Sequence, residues 1–222
     1  PAGSPASLNA AVRGGADAVY LGLDNFNARR SADNFTTETL KDACDYCHSR
    51  GVKVYVTVNT IIITKELPEL LRMVEKAHVA GADAFIVQDV GIAAAISDVF
   101  GPEKVHISTQ MNIHNVAGVH AAKALGAGRI TLARELSLGE IEQICDAAHE
   151  LDMEIECFAH GAICVCYSGQ CLMSSCIGAR SANRGMCAQA CRLPYSLLRG
   201  DEKANVKRAG SAPSVAKRHV HN

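Results

Sequence analysis

The sequence predicts an α/β fold of parallel (β/α) TIM-barrel type, and three observations carry that expectation. A unit of helical stretch, Gly-Ala turn and short apolar strand recurs through the first 160 residues. It reads Gly15-Ala16-Asp17-Ala18-Val19-Tyr20-Leu21-Gly22, then Gly81-Ala82-Asp83-Ala84-Phe85-Ile86-Val87, with a looser copy in Gly126-Ala127-Gly128-Arg129-Ile130-Thr131-Leu132. Glycine after a helix takes the left-handed cap conformation, and the apolar run behind it suits a buried strand. Continuous apolar strands alternating with helices point to a parallel sheet covered on both faces. Six strands are readable, at an average spacing near that of an eight-stranded β/α barrel.

Beyond the three repeat strands, strands are expected at Val52–Asn59, Lys104–Gln110 and Glu154–His160. Amphipathic helices are expected over 6–13, 37–50, 65–79, 116–125 and 137–150, the last opened by a Ser137/Glu140 capping box. A doubly wound sheet is the structural alternative, but no glycine-rich phosphate loop follows any strand. Polar residues stand at or just after successive strand ends: Asn59, Gln88-Asp89, Ser108-Thr109-Gln110, Arg134-Glu135 and His160. In a parallel barrel those ends converge on one mouth. Any one of them is as readily a helix cap or turn residue; the succession of five predicts a shared polar pocket.

Length and composition fit one well-buried domain: 222 residues, 48% hydrophobic, 20% charged, formal net charge -1. That charge gives no support for a broad electrostatic nucleic-acid surface and leaves room for a local basic groove. No apolar run approaches the roughly 18 residues of a membrane span. No signal peptide is visible, in a chain that opens at Pro1 rather than Met.

Ten cysteines are the outlier, and seven of them lie between Cys157 and Cys191. In a β/α chain of cytosolic, hence cytoplasmic, type, clustered cysteines indicate metal or redox chemistry rather than disulfides. The candidate ligand set is Cys164, Cys171, Cys187 and Cys191, with six, fifteen and three residues between them. Four thiolates suit a 4Fe–4S cluster or a structural zinc. Zinc sites of this kind show two close pairs, and here only the second pair is close, so the spacing leans towards iron–sulfur. Arg180, Arg184 and Arg192 are placed to offset a cluster's negative charge. Cys166 and Cys176 are substitute ligands, Cys44 and Cys47 read as packing or surface thiols, and Cys145 and Cys157 read as core. No HExxH helix and no GxSxG elbow is present.

The cysteine segment closely resembles the signature of peptidase family U32, the collagenase-like proteins. The resemblance is carried by His160-Gly161-Ala162, Cys164, Tyr167-Ser168-Gly169-Gln170-Cys171-Leu172-Met173-Ser174-Ser175, Arg180-Ser181-Ala182-Asn183-Arg184-Gly185, Cys187-Ala188-Gln189 and Cys191-Arg192-Leu193-Pro194-Tyr195. It extends through Val87-Gln88-Asp89, Ser108-Thr109-Gln110-Met111 and Leu132-Ala133-Arg134-Glu135-Leu136-Ser137, covering about residues 1–200.

The resemblance implies two activities. The family name implies proteolysis; other branches imply iron–sulfur proteins that help hydroxylate an aromatic ring, namely a pyrimidine of tRNA or rRNA or a ubiquinone precursor. For the RNA-directed branches prephenate is implied as the source of the hydroxyl group. Peptide hydrolysis needs an activated nucleophile or a metal-bound water with oxyanion donors, and no such set is recognisable. Hydroxylation of an RNA base is therefore the leading expectation. A collagenase-like peptidase is the alternative, and an inactive truncated paralogue or scaffold subunit is the third.

By this comparison the barrel is incomplete, lacking its first and last strands. The expected parts are a partial barrel over 1–160, a cysteine-rich segment over 161–200 and a disordered basic tail over 201–222. Because some family members take their fourth cysteine from a later region, Cys191 is the provisional ligand. The cluster is expected beside a mouth formed by Asn59, Asp89, Gln110, Arg134, Glu135 and His160. Arg134 and Arg184 are expected to hold substrate carboxylates or phosphates, and Glu135 or His160 to handle protons. Oligomeric state is not legible.

Overall fold

A computed structural model describes residues 1–195 apart from 31 and 163, together with the backbone of 198–199 and 202–203. Helices and strands alternate: α1 (Pro5–Arg13), β1 (Ala18–Gly22), α2 (Thr37–His48), β2 (Lys53–Val58), α3 (Leu67–Val79), β3 (Ala84–Val87), α4 (Val90–Phe100), β4 (Val105–Ile107), α5 (Val116–Ala124), β5 (Arg129–Thr131), α6 (Leu138–Glu150), β6 (Glu154–Glu156) and α7 (Met173–Gly178). Residues 1–191 form one compact unit. Within residues 192–222, a second unit, Leu198–Arg199 pairs antiparallel with Glu202–Lys203. The expected tail over 201–222 otherwise lies outside the described residues.

The three repeat glycines all have positive φ: Gly15 at 85°, Gly81 at 107° and Gly126 at 75°. Cap residues open the helices after the turns. Ser4, Asp89 and Asn115 each accept a backbone N–H of the first turn, and Glu140 accepts from the Ser137 backbone at 2.8 Å.

All five pairings of the six-stranded sheet are parallel, and its order is the chain order from β1 to β6. A doubly wound sheet reverses its order at a switch point; this sheet does not, and it curls as a half-barrel. The two faces differ because side chains alternate along each strand. Val19, Leu21, Val54, Val56, Phe85, Val87, Ile107, Ile130 and Leu132 join one large core with Leu8, Leu40, Leu70, Val74, Ile92, Ile96, Val119 and Ile144 of the helices. The intervening residues form a smaller cluster of Tyr55, Ala84 and Ile86, with Ala18 and Tyr20 packed on it. Helices thus cover one face, not the two expected. The other face is the concave interior, where Arg129 pairs with Glu154 and lies 3.7 Å from Glu156.

Three further expectations change. Helix α4 was not anticipated, because its run Val90–Phe100 is too uniformly apolar to show an amphipathic face. Strands β4 and β6 are shorter than expected, since Ser108 caps a 3₁₀ turn over Thr109–Met111 and the chain leaves the sheet after Glu156. For that last reason Cys157, expected in the core, is exposed, and Cys145 is only partly buried. Cys44 and Cys47 are buried packing thiols, and burial pushes the Cys44 thiol up to about 12, out of reach of reaction.

His106 sits on the concave face, 6% exposed, its ring edge-on to Tyr55 with centroids 4.6 Å apart. Burial, reinforced by the charge of Arg129, pushes its pKa down to about 4. The unfolded chain takes up this proton near pH 6.5 and the folded chain only near pH 4, so the stabilisation is full above that window and lost as pH falls through it. The loss is on the order of 3 kcal/mol. In thermal melts across this window, His106→Phe, which keeps an edge contact to Tyr55, is expected to flatten the acid slope of the melting temperature; an unchanged slope would contradict this assignment.

Candidate active site

The cysteine segment is a strap fixed at two feet to the C-terminal ends of the strands. At the first foot Ser168 is fully buried. Its Oγ accepts from Arg134 Nε at 3.0 Å and from the Arg134 backbone N–H at 3.3 Å, and donates to Glu135 Oε1 at 3.2 Å. Its N–H donates to the same carboxylate oxygen at 2.8 Å. Gly169, at φ 70°, presses on the Gln110 backbone so closely that a methyl group there would overlap the Gln110 carbonyl oxygen. Only a residue without Cβ fits that approach.

The second foot reaches the loops after β1 and β2. Ile61 N–H donates to the Asn183 carbonyl at 3.0 Å. Arg184 forks onto both Glu66 carboxylate oxygens, at 2.6 and 3.1 Å, and donates to the Ile61 carbonyl at 3.0 Å. This guanidinium holds the Glu66 carboxyl below the usual range. Gly185 abuts the Asn27 carbonyl in the same manner as Gly169 abuts Gln110.

Between the feet, α7 carries the nearly buried Ser174, whose Oγ accepts from Ala188 N–H at 3.0 Å and lies 3.9 Å from Cys187 Sγ. Cys187 Sγ also accepts from Gln189 N–H at 3.4 Å. Cys166 stands beside Cys171, with Cys164 close by; burial, then Cys171, push the Cys166 thiol up. All of the strap cysteines are free thiols, with Cys164, Cys176, Cys187 and Cys191 exposed and Cys166 and Cys171 half-buried. This donor set fits an iron–sulfur cluster in kind: accessible soft thiols in one segment, one of them already accepting hydrogen bonds. Among the described residues no three cysteine, histidine or carboxylate side chains converge on a common metal position.

A cavity of about 190 Å³ opens on the concave side, at the C-terminal ends of the strands. Leu21 and Ile86 line it with the polar groups of Thr57, Ser108 and Thr131, and Asn59 and Gln110 border it. Tyr20, Arg29, Glu156 and Phe158 also line it, none of them among the site residues expected from sequence. The available signal was Glu154-Ile155-Glu156, whose alternation on a short strand sends both carboxylates to the concave face. Glu156 Oε1 accepts from Thr131 Oγ1 at 3.3 Å.

The expected mouth residues, taken with Arg184, divide into four sets. Asn59 and Gln110 meet at the cavity, and the Asn59 side-chain oxygen accepts from Ala28 N–H at 2.9 Å. Arg134, Glu135 and Arg184 are engaged in holding the strap. Asp89 caps α4, accepting from Gly91 and Ile92 N–H at 3.0 and 3.1 Å. His160 is exposed where the strap begins.

The family model described as peptidase family U32 matches residues 3–220. A 23S rRNA 5-hydroxycytidine C2501 synthase of Escherichia coli K12 is 44% identical over 200 residues, 89% of this chain and 29% of that protein. A tRNA hydroxylation protein P1 of Bacillus subtilis is 39% identical over 90% of this chain and 47% of its own length. A collagenase of Porphyromonas gingivalis is 40% identical over 89% of this chain and 49% of its own length. The chain therefore spans less than half the length of these relatives. Among solved structures, the U32 peptidase Mk0906 superposes with a TM-score of 0.57 at 18% identity, over 69% of this chain and 64% of that one, a likeness of fold.

The strap's attachment is testable through its own thiols. Gly169→Ala is expected to release the first foot, and Ser168→Ala to weaken it by about 1–3 kcal/mol by stripping partners from Arg134 and Glu135. Both changes should speed alkylation of Cys166 and Cys171, followed by mass spectrometry, and leave the buried Cys44 unreactive. Equal rates in variant and wild type would show that these contacts do not hold the strap.

Proposed function

The chain belongs to peptidase family U32, and from that premise we propose that it takes part in hydroxylating a pyrimidine base of tRNA or rRNA. In this reading Cys164, Cys171, Cys187 and Cys191 hold a 4Fe–4S cluster, and prephenate supplies the hydroxyl group. The observation that carries it is the strap: a thiol-rich segment pinned to the strand ends of a half-barrel, where barrel enzymes place their chemistry. The names of the Escherichia coli and Bacillus subtilis relatives support the RNA substrate, and an RNA-modifying role implies a cytoplasmic setting. No described helix is long and apolar enough to cross a membrane.

When bound, such a cluster supplies one-electron transfer at a potential set by its surroundings. The chain's own residues do the positioning. Ser174 and the Gln189 N–H steady the Cys187 sulfur, as hydrogen-bond donors around a thiolate ligand do. Arg134, Glu135 and Arg184 act as positioning residues, their charged groups spent on the strap rather than on substrate. His160 keeps the proton-handling role, exposed at the strap's start.

The collagenase relative favours a second reading, a peptidase. The one serine at the strap's foot does not serve it: Ser168 is buried and bonded to an arginine and a carboxylate, with no histidine among those partners. A scaffold role within a larger hydroxylating assembly is the third.

Nucleoside mass spectrometry of tRNA and rRNA, from cells without the gene and cells complemented with it, decides among these. The expected result is loss of one hydroxypyrimidine on deletion, its return with the wild-type gene, and no return with Cys171→Ser. Full restoration by both Cys164→Ser and Cys171→Ser would contradict the cluster. An unchanged nucleoside profile, with collagen cleavage that survives both substitutions, would favour the peptidase.

A further inference from the structure

The concave cavity has a composition that the strap does not account for. Its volume, about 190 Å³, is below the roughly 300–1,000 Å³ of a drug-sized site, so it takes a group the size of one small ring. Its floor is apolar at Ile86, and its walls carry neutral hydrogen-bonding side chains. A carboxylate and a guanidinium, Glu156 and Arg29, line it together with Tyr20, whose phenol is held above its usual range by burial. Thr131 Oγ1 donates to one oxygen of Glu156 at 3.3 Å, and the Arg129 guanidinium lies 3.7 Å from the other. Arg29 is exposed and makes no ion pair among the described residues.

Phe158 completes the arrangement. Of the five phenylalanines, Phe35 and Phe85 are buried, and Phe26 and Phe100 pack against the same core. Phe158 alone is 51% exposed, and it lines this cavity. An aromatic face beside a ring-sized, polar-walled slot is the means by which proteins hold unstacked bases.

Resting on the RNA reading above, we propose that this cavity receives a single pyrimidine base swung out of an RNA strand. Phe158 stacks on the ring, Glu156 accepts from its N–H donors, and Arg29 takes the adjoining phosphate. An enzyme that acts on a ring atom must draw the base out of its stack, because neighbouring bases cover both faces of the ring. The fixed carboxylate selects a neutral ring carrying N–H groups and disfavours an anionic organic acid in the same place. Arg29, solvent-exposed at the cavity, supplies the planar fork that suits a phosphate.

The test uses the full chain and a short single-stranded RNA with one cytidine beside a 2-aminopurine. Binding is read by fluorescence anisotropy, and unstacking by the rise in 2-aminopurine emission. Wild-type protein is expected to bind with a rise in emission. Phe158→Ala should weaken binding about 5-fold or more, the low end for one lost base–aromatic stack, and abolish the rise; Phe158→Tyr should restore both. Arg29→Ala should weaken binding and lower the salt slope by about one, and Glu156→Gln should reduce the emission rise. Lys41→Ala, on the outer helix α2, should change nothing. RNA binding with an emission rise unchanged in Phe158→Ala and Glu156→Gln overturns this assignment while the RNA reading stands. Absence of wild-type RNA binding overturns both.

Discussion

The position of the cysteines depends on one buried hydroxyl. Ser168 joins the strap to the end of β5 through Arg134 and Glu135, and no solvent reaches it to compete. A guanidinium and a carboxylate meeting at one serine make charge-assisted bonds, stronger than neutral ones. Arg134 and Glu135 are themselves exposed, so the shielding from water lies at the serine. The neighbouring Gly169 allows the backbone to descend onto Gln110. Serine and glycine together therefore set where Cys164, Cys166 and Cys171 stand, and the Arg184–Glu66 fork does the same for the segment that leads to Cys187.

The half-barrel explains why function gathers on one side. Helices cover only the outer face, so the outer residues of every strand are apolar and the inner ones are free to be polar. The inner face uses that freedom at a cost, holding His106 neutral by burial and tying Arg129 to Glu154. Above these groups the interior widens into the cavity of Glu156, Arg29 and Phe158. Strap and cavity are thus built from the same strand ends: Thr109 and Gln110 border the cavity, and the Gln110 carbonyl is where Gly169 rests.

The sequence made the parallel order legible because each Gly-Ala turn and apolar run repeats one physical unit. It hid α4, since a helix with apolar residues all round shows no period. It also grouped at one mouth side chains whose bonding partners in the structure differ. Asp89, Arg134 and Glu135 are polar residues at strand ends, as an active site would have, yet their side chains bond to a helix cap and to the strap. Sequence position cannot tell a polar group that faces substrate from one that holds a loop. Glu156 and Phe158 escaped notice for the converse reason: the expected strand ran on to His160, whereas the chain leaves the sheet after Glu156 and leaves Phe158 half-exposed at the cavity. The crowding of cysteines was the most conspicuous signal in the sequence, yet among the described residues the strap's thiols do not converge on a common metal position.

The central claim is that the strap's thiols bind iron and sulfide. Iron-edge X-ray absorption of the full chain, purified without oxygen, tests it most directly. A cluster held by these thiols gives an all-sulfur shell around each iron together with iron–iron scattering. A shell of nitrogen and oxygen, zinc in place of iron, or four cysteines that remain free thiols after anaerobic loading would contradict it.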